Sequence, residues 1–265
     1  MVRIIAVVNQ KGGVGKTTTT VNLATALAAT GLKTLVIDLD PQGNASTGFG
    51  IEHRQRVKSS YHVLIGKCPL AQAVVKSSIP NLFVMPSNID LSAAEIELVQ
   101  EMARETKLKI ALEDGGDDFD YVLIDCPPSL GLVTMNALVA AQSVFIPLQC
   151  EFYALEGLSH LLKTIQLIQR RLNQQLDICG IVLTMYDKRN KLTEHIEADV
   201  RGFLGNKVFE TVVPRNVKLS EAPSHGKPAI IYDMSCSGSR AYIMVAKELI
   251  QRERLRENNI EGRVA

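Results

Sequence analysis

The most constraining feature of the chain is a glycine-rich loop set between a strand and a helix. Residues 3–9, RIIAVVN, form a β-branched run. Lys11-Gly12-Gly13-Val14-Gly15-Lys16-Thr17-Thr18 follows, and TTTTVNLATALAATG (17–31) then carries apolar residues at helical spacing with a glycine at its end. KTLVIDLD (33–40) reads as a buried strand. Strand, loop, helix and strand in that order make a βαβ unit, which calls for a parallel sheet with helices on both faces. Glycines let backbone N–H groups converge on phosphate oxygens, and the helix N-terminus adds the positive end of its dipole. Lys16 is spaced to reach β- and γ-phosphates, and the Thr17 hydroxyl to ligate Mg2+. The usual P-loop has a glycine where this chain has Gln10; here a second lysine, Lys11, precedes the double glycine, which is the deviant form of the motif.

The alternation of strand and helix continues. Strands are predicted over 81–87, 120–128, 143–149, 177–186 and 207–214, the last of the series. Between and after them, helices are predicted over 91–113 (as one or two), near 131–141, 154–173 and 192–204, and over 237–258. One doubly wound α/β domain over 1–265, a single mostly parallel sheet flanked by helices, uses all of this. Hydrophobic residues at 46% and charged residues at 22% exclude disorder, and a net charge of +1 excludes a global polycation wrapped on DNA. Aromatics at 5% with no Trp argue against a stacking platform for sugars or single strands. The five cysteines are an odd number with no CxxC pair, so reduced, inert thiols are expected rather than disulfides or a zinc site. The apolar run after Arg3 is too short for a signal peptide or a membrane span, and the expected location is the cytoplasm.

Two further strand ends carry carboxylates. Asp38 and Asp40 lie two apart at the end of the second strand, so on an ideal strand both point the same way. One of them is expected to orient water or metal near a γ-phosphate; the alternative is that they only open the turn Pro41-Gln42-Gly43-Asn44. Asp125 ends the strand VLID, the Walker B position that holds Mg2+, usually through water. Cys126 beside it has no histidine near it in sequence and is read as inert.

With these residues in hand, KGGVGKTTT (11–19), DLDPQGNAS (38–46), DYVLIDCPPSLG (120–131), QCEFYALEGL (149–158) and VVPRNVKLSEAPSHGKP (212–228) together resemble the ParA/Soj chromosome-partitioning ATPases. These belong to the deviant Walker A group that also holds MinD and the nitrogenase iron protein. The resemblance runs from residue 3 to about 250 and fits the small chromosomal type, in which no helix-turn-helix domain precedes the ATPase. It implies ATP/ADP and Mg2+ as cofactors and an ATP-dependent homodimer with two nucleotides sandwiched between protomers. Lys11 would reach the partner's phosphates, and Gly12 would lie at the close approach of the two copies. Gly13, Val14 and Gly15 complete the phosphate loop, with Lys16, Thr17 and Thr18 on phosphate and Mg2+. Asp40 would position the attacking water, with Asp38 in the metal's outer shell and Asp125 as the Walker B carboxylate. Met185 and Pro214-Arg215-Asn216 match the region that holds adenine.

The resemblance also implies non-specific binding of double-stranded DNA by the ATP dimer, association with the nucleoid, and slow hydrolysis stimulated by a ParB-like centromere-binding protein. Lys188, Arg189 and Lys218 match positions that carry DNA contacts; position 218 is often Arg in the family. A dimer doubles each basic loop, which is how a chain of charge +1 could still bind DNA. No catalytic arginine is evident near the P-loop, consistent with activation by a partner. Two other readings remain: a MinD-like cell-division positioning ATPase on the membrane, and a metabolic or metal-trafficking enzyme on the same fold. Residues 250–257, IQRERLRE, balance acid and base and read as a solvated helix face rather than a lipid anchor. Cys126 has no evident second ligand, which argues against an iron–sulfur cluster.

Overall fold

The computed structural model describes residues 2–264, with side chains through Leu255. Its elements in chain order begin with β1 (Arg3–Val7), α1 (Lys16–Ala29), β2 (Thr34–Asp38), α2 (Asn44–Gly48), α3 (Ser60–Leu64) and α4 (Leu70–Ala73). There follow β3 (Val75–Lys76), β4 (Leu82–Met85), α5 (Leu91–Glu97), α6 (Lys107–Glu113), β5 (Tyr121–Asp125), α7 (Leu132–Ala140) and β6 (Ser143–Gln149). The rest are α8 (Ala154–Arg171), β7 (Asp177–Thr184), α9 (Lys191–Leu204), α10 (Val217–Glu221), α11 (Ala229–Tyr232) and α12 (Ser237–Val264). One sheet collects the strands in the order β3-β4-β2-β5-β1-β6-β7. Every pairing is parallel except the short edge strand β3 on β4.

The period of two along each strand splits the core. Ile4 and Ala6 face one side with Leu35, Ile37, Val122 and Ile124, against α5–α8. Ile5 and Val7 face the other with Val36 and Leu123, against Leu23 and Leu27 of α1 and Tyr242, Val245 and Leu249 of α12. Both faces are covered, so the central strands β2 and β5 are buried at every residue. Helix α1 lies between the sheet and α12, with eleven of its fourteen residues buried, which suits its run of small Thr and Ala side chains.

The structure departs from the sequence expectations at 207–214 and at 250–257. Residues 207–214 do not form a strand: only Val208 and Pro214 bridge to Ile181 and Tyr186. The segment stays on the β7 edge through Phe209 N to Ile181 O and Val213 N to Leu183 O (both 2.8 Å), but the N–H groups of Glu210 (2.9 Å) and Thr211 (3.1 Å) donate to the Glu248 carboxylate of α12, which interrupts the ladder. The span 91–113, expected as one or two helices, holds two, α5 and α6. The stretch expected to be solvated at 250–257 holds Glu253 at 6% exposure, its carboxylate accepting from the Tyr121 hydroxyl and facing Arg3. The side chains of residues 256 and 257 lie outside the described residues.

Candidate functional site

Parallel register brings the sequence-predicted groups to one sheet edge. Val7 of β1 pairs with Asp125 of β5, and Asp125 pairs in turn with Asp38 of β2. The loop leaving β1 therefore starts beside Asp125, with Asp38 one strand further along the same edge. Asn9 anchors it: its Nδ2 donates to Pro147 O (2.7 Å) and its Oδ1 accepts from Lys11 N (3.0 Å). Gly13 (φ 78°) and Gly15 (φ 89°) take left-handed backbone that side chains disfavour, and so turn the loop back on itself. Thr184 at the end of β7 ties the loop from the other side, donating to Val14 O at 2.8 Å.

Lys16 is 7% exposed, and its Nζ donates to Lys11 O at 3.0 Å. Burial pushes this ammonium below its ordinary range, while Asp125 and Asp40 pull it back. An ammonium with three donors and one short protein acceptor is suited to an anion at the loop. Lys11, Gly12 and Gly13 lie exposed on the rim, and the Lys11 ammonium pairs with Glu151. Gly12 has no left-handed φ, and a Cβ there would meet nothing within 4 Å, so nothing inside the chain calls for glycine at this position. Thr18 faces a cleft of about 260 Å³ that it shares with Asn44, Thr47 and Lys227.

Asp125 is fully buried. Thr17 Oγ1 donates to its Oδ2 (2.8 Å) and Thr20 Oγ1 to its Oδ1 (2.9 Å). Burial pushes its carboxyl well above the usual range, Asp38 adds to the rise, and the two hydroxyls oppose it. Asp38 is also fully buried and raised, chiefly by burial; it accepts from Ser46 N (2.8 Å), Ser46 Oγ (2.7 Å) and Asp40 N (3.2 Å). Adjacent buried carboxylates with a threonine hydroxyl form a hard oxygen set, the chemistry Mg2+ takes. Among the described residues no group of three or more His, Cys, Asp or Glu could hold an ion. Mg2+ fits that arrangement, since it keeps several waters and binds through one or two carboxylates plus phosphate oxygens. Asp40 is only half-buried and lies beyond the end of β2, so the pair does not share one strand face as an ideal strand would have it.

Thr20 was not legible as a site residue, because it sits inside a helix 105 residues from its partner. Thr20→Val should destabilise the fold by about 1–3 kcal/mol, since it leaves a buried carboxylate oxygen without its donor. Denaturant unfolding of Thr20→Val beside Thr20→Ser, which keeps the hydroxyl, checks this; equal losses would assign the effect to packing.

The base-binding candidates also meet. Met185 has a left-handed φ of 49° at the end of β7. Tyr186 then exchanges backbone bonds with Val213 (3.0 Å) and Arg215 (3.2 Å). Asn216 caps α10 through Lys218 N (2.9 Å) and holds Ser237 Oγ (2.9 Å). The DNA candidates are less free than their charges suggest. Arg189 grips Asp187 with two bonds (2.9 and 2.8 Å), and Lys218 pairs with Glu221 at 2.8 Å. Lys188, Arg189, Arg215 and Arg240 line one open groove of about 950 Å³. Arg252 is committed to Glu248 and to the carbonyls of Asn206 and Val208. No disulfide forms among the described cysteines; Cys126, Cys150 and Cys179 are buried, and burial pushes the Cys150 thiol up to about 12.

A family model described as an AAA domain matches residues 2–178. The chain is 54% identical over 257 residues to the chromosome partitioning protein ParA of Caulobacter vibrioides, covering 96% of each. It is 51% identical over 249 residues to the sporulation initiation inhibitor protein Soj of Bacillus subtilis, covering 94% of this chain and 98% of Soj. A crystal structure of cobyrinic acid a,c-diamide synthase from Mycobacterium smegmatis with bound ADP and magnesium superposes with a TM-score of 0.84 at 36% identity, covering 96% of each chain.

Proposed function

The chain belongs to the ParA/Soj family of chromosome-partitioning ATPases, and from that premise we propose that it is a nucleotide-driven dimer that binds nucleoid DNA and lets go on hydrolysis. The observation that supports the reading is the register that sets Val7, Asp125 and Asp38 side by side, with Thr17 of the loop bonded to Asp125. Lys16 holds the β- and γ-phosphates of ATP, with Gly13, Val14 and Gly15 offering backbone N–H groups and Thr18 standing beside the cleft. Thr17 and Asp125 would hold Mg2+, with Asp38 in its outer shell, and the ion would neutralise phosphate charge. Asp40 orients the attacking water. The Met185 turn and the backbone of 214–216 receive the adenine.

Lys11 serves the nucleotide of a second copy, for which it must leave Glu151, and Gly12 admits that copy closely because its Cα carries no side chain. Gel filtration with ATP, ADP and no nucleotide tests the dimer directly: a size unchanged by ATP would overturn it. The location that follows is cytoplasmic and nucleoid-associated. Among the described residues no helix is long and apolar enough to cross a membrane. Tyr242, Val245 and Leu249 of α12 pack in the core, while Ile243, Met244 and Leu255 of the same helix are exposed.

The DNA contact is assigned to Lys188, Arg189 and Lys218, doubled by the dimer. Phosphate contacts release counterions, so affinity should fall steeply with salt and be nearly blind to sequence. Charge reversal of Arg189 and Lys218 to Glu should lower the affinity of the ATP dimer for duplex DNA by at least ~10-fold at moderate salt. The reversal also leaves Asp187 and Glu221 facing like charges, so the loss should exceed that of the alanine pair. A salt series of DNA binding beside gel filtration with ATP reads this out. Retained affinity with an unchanged salt slope would move the contact to Arg215 and Arg240 in the same groove. A ParB-like protein is the partner expected to stimulate turnover.

A further inference from the structure

We propose that Arg56 is a positioning residue for hydrolysis, its buried guanidinium clamping the turn that presents Asp40. The inference rests on the reading of Asp40 as the group that orients water. Arg56 is 3% exposed. All five of its N–H donors are used: Nε and Nη2 on Ile51 O (3.1 and 2.7 Å), Nη1 on Gly43 O (3.2 Å) and Ser87 O (3.3 Å), and Nη2 on Thr47 Oγ1 (2.9 Å). No carboxylate bonds to it among the described residues, so a full charge is held in the interior by carbonyls and one hydroxyl. Burial lowers the guanidinium's proton affinity, with Asp38 opposing. Burying a charge this way is costly unless every donor is matched, and an apolar side chain would fill the space at less cost. What the arginine adds is reach: one rigid fork joins three separate chain segments.

Those segments surround Asp40 without touching its carboxylate. Gly43 N donates back to Asp40 O (2.8 Å), closing the turn Pro41-Gln42-Gly43, and Thr47 Oγ1 donates to Gly43 O (3.0 Å). On the other side, Asp38 accepts from Asp40 N (3.2 Å) and Ser46 Oγ (2.7 Å). Ser46 Oγ in turn accepts from Ser87 N (3.1 Å), and Ser87 O returns to Arg56. The turn is thus held in a closed ring of hydrogen bonds, with Asp38 at one pole and Arg56 at the other. Gly43 is part of the same device. Its φ is 62°, and a Cβ there would lie 2.2 Å from Arg56 Nη1 and 3.0 Å from Ser87 O.

Releasing one pole lets the Asp40 carboxylate drift while Lys16, Thr17 and Asp125, which hold the nucleotide from other elements, stay in place. A shift of about 1 Å at a positioned group costs up to ~100-fold in rate. The test uses Arg56→Lys, whose ammonium has three donors and no fork, with steady-state ATPase, ATP titration, gel filtration with ATP and a melting curve on the full chain. Turnover should fall ~10-fold or more with ATP affinity within ~3-fold of the parent and the dimer formed. In the Asp40→Ala background the same change should cause no further loss of turnover. Normal turnover in folded Arg56→Lys, or loss of ATP affinity in step with turnover, would overturn the inference. Normal turnover in Asp40→Ala alone would instead overturn the role of Asp40. If Arg56→Lys fails to fold, Thr47→Val removes one of the five bonds and should give a smaller fall with the same split; no fall there overturns the inference as well.

Discussion

Lys16→Ala is expected to abolish ATP binding, whereas Lys11→Ala should leave binding largely intact and remove only the ATP-dependent dimer. The two lysines sit five residues apart on one loop, and the difference lies in their surroundings. The Lys16 ammonium is already stripped of water at 7% exposure and donates to the backbone carbonyl of Lys11. Its desolvation is complete before any phosphate arrives, so pairing with the β/γ oxygens adds charge-assisted bonds with little further cost. Removing one partner of such a pair costs ~2–5 kcal/mol, or ~30-fold and upward in affinity. Lys11 is different: its side chain is 47% exposed and turned to Glu151 on the rim. The bond that steadies Lys16 uses the Lys11 carbonyl, so alanine at position 11 leaves it in place. Titration of a fluorescent ATP analogue, with gel filtration of the same samples, separates the cases. Equal loss of nucleotide affinity in both variants would sink the role of Lys11 in trans.

The placement of the loop between β1 and α1 was legible because the pattern is local: a β-branched run, glycines and a helical spacing within some thirty residues specify it. Asp125 was legible for the same reason, as the carboxylate at the end of a buried run. Thr20, Thr184 and Arg56 were not. Thr184 meets Val14 across 170 residues of sequence, and Arg56 reads as one more charge in a polar stretch until the fold closes around it. Residues 207–214 have strand composition, and what interrupts their ladder to β7 is Glu248, placed by α12 some forty residues later. The cations at 189 and 218 were visible, as were Asp187 and Glu221 two and three residues from them. Sequence spacing alone did not show that these neighbours would be paired so closely. Asp38 and Asp40 are the sharpest case. The period of two puts them on one face, yet the strand ends at Asp38, so one carboxylate goes into the core and the other to the rim.

That division of labour gives Asp40→Ala its expected result: turnover down at least ~100-fold, with ATP affinity and the ATP dimer retained. Asp38 is fully buried and holds Ser46 and the Asp40 N–H. Asp40 contributes to the turn through its backbone, by accepting Gly43 N at 2.8 Å, and this bond survives replacement by alanine. Its side chain makes one bond within the chain among the described residues, Oδ1 accepting Gln42 N at 2.9 Å, which leaves the other oxygen to accept from a water. On the proposed reading, removing it takes away the acceptor for the attacking water while Lys16, Thr17 and Asp125 keep their places. Asp38→Ala should behave differently, lowering stability because the donors of Ser46 lose a buried acceptor. Single-turnover hydrolysis, ATP titration and melting of both variants distinguish the two carboxylates. If Asp40→Ala hydrolyses normally, the water must be oriented from elsewhere. If Asp40→Ala instead loses ATP affinity in step with turnover, the carboxylate is holding the nucleotide and not the water.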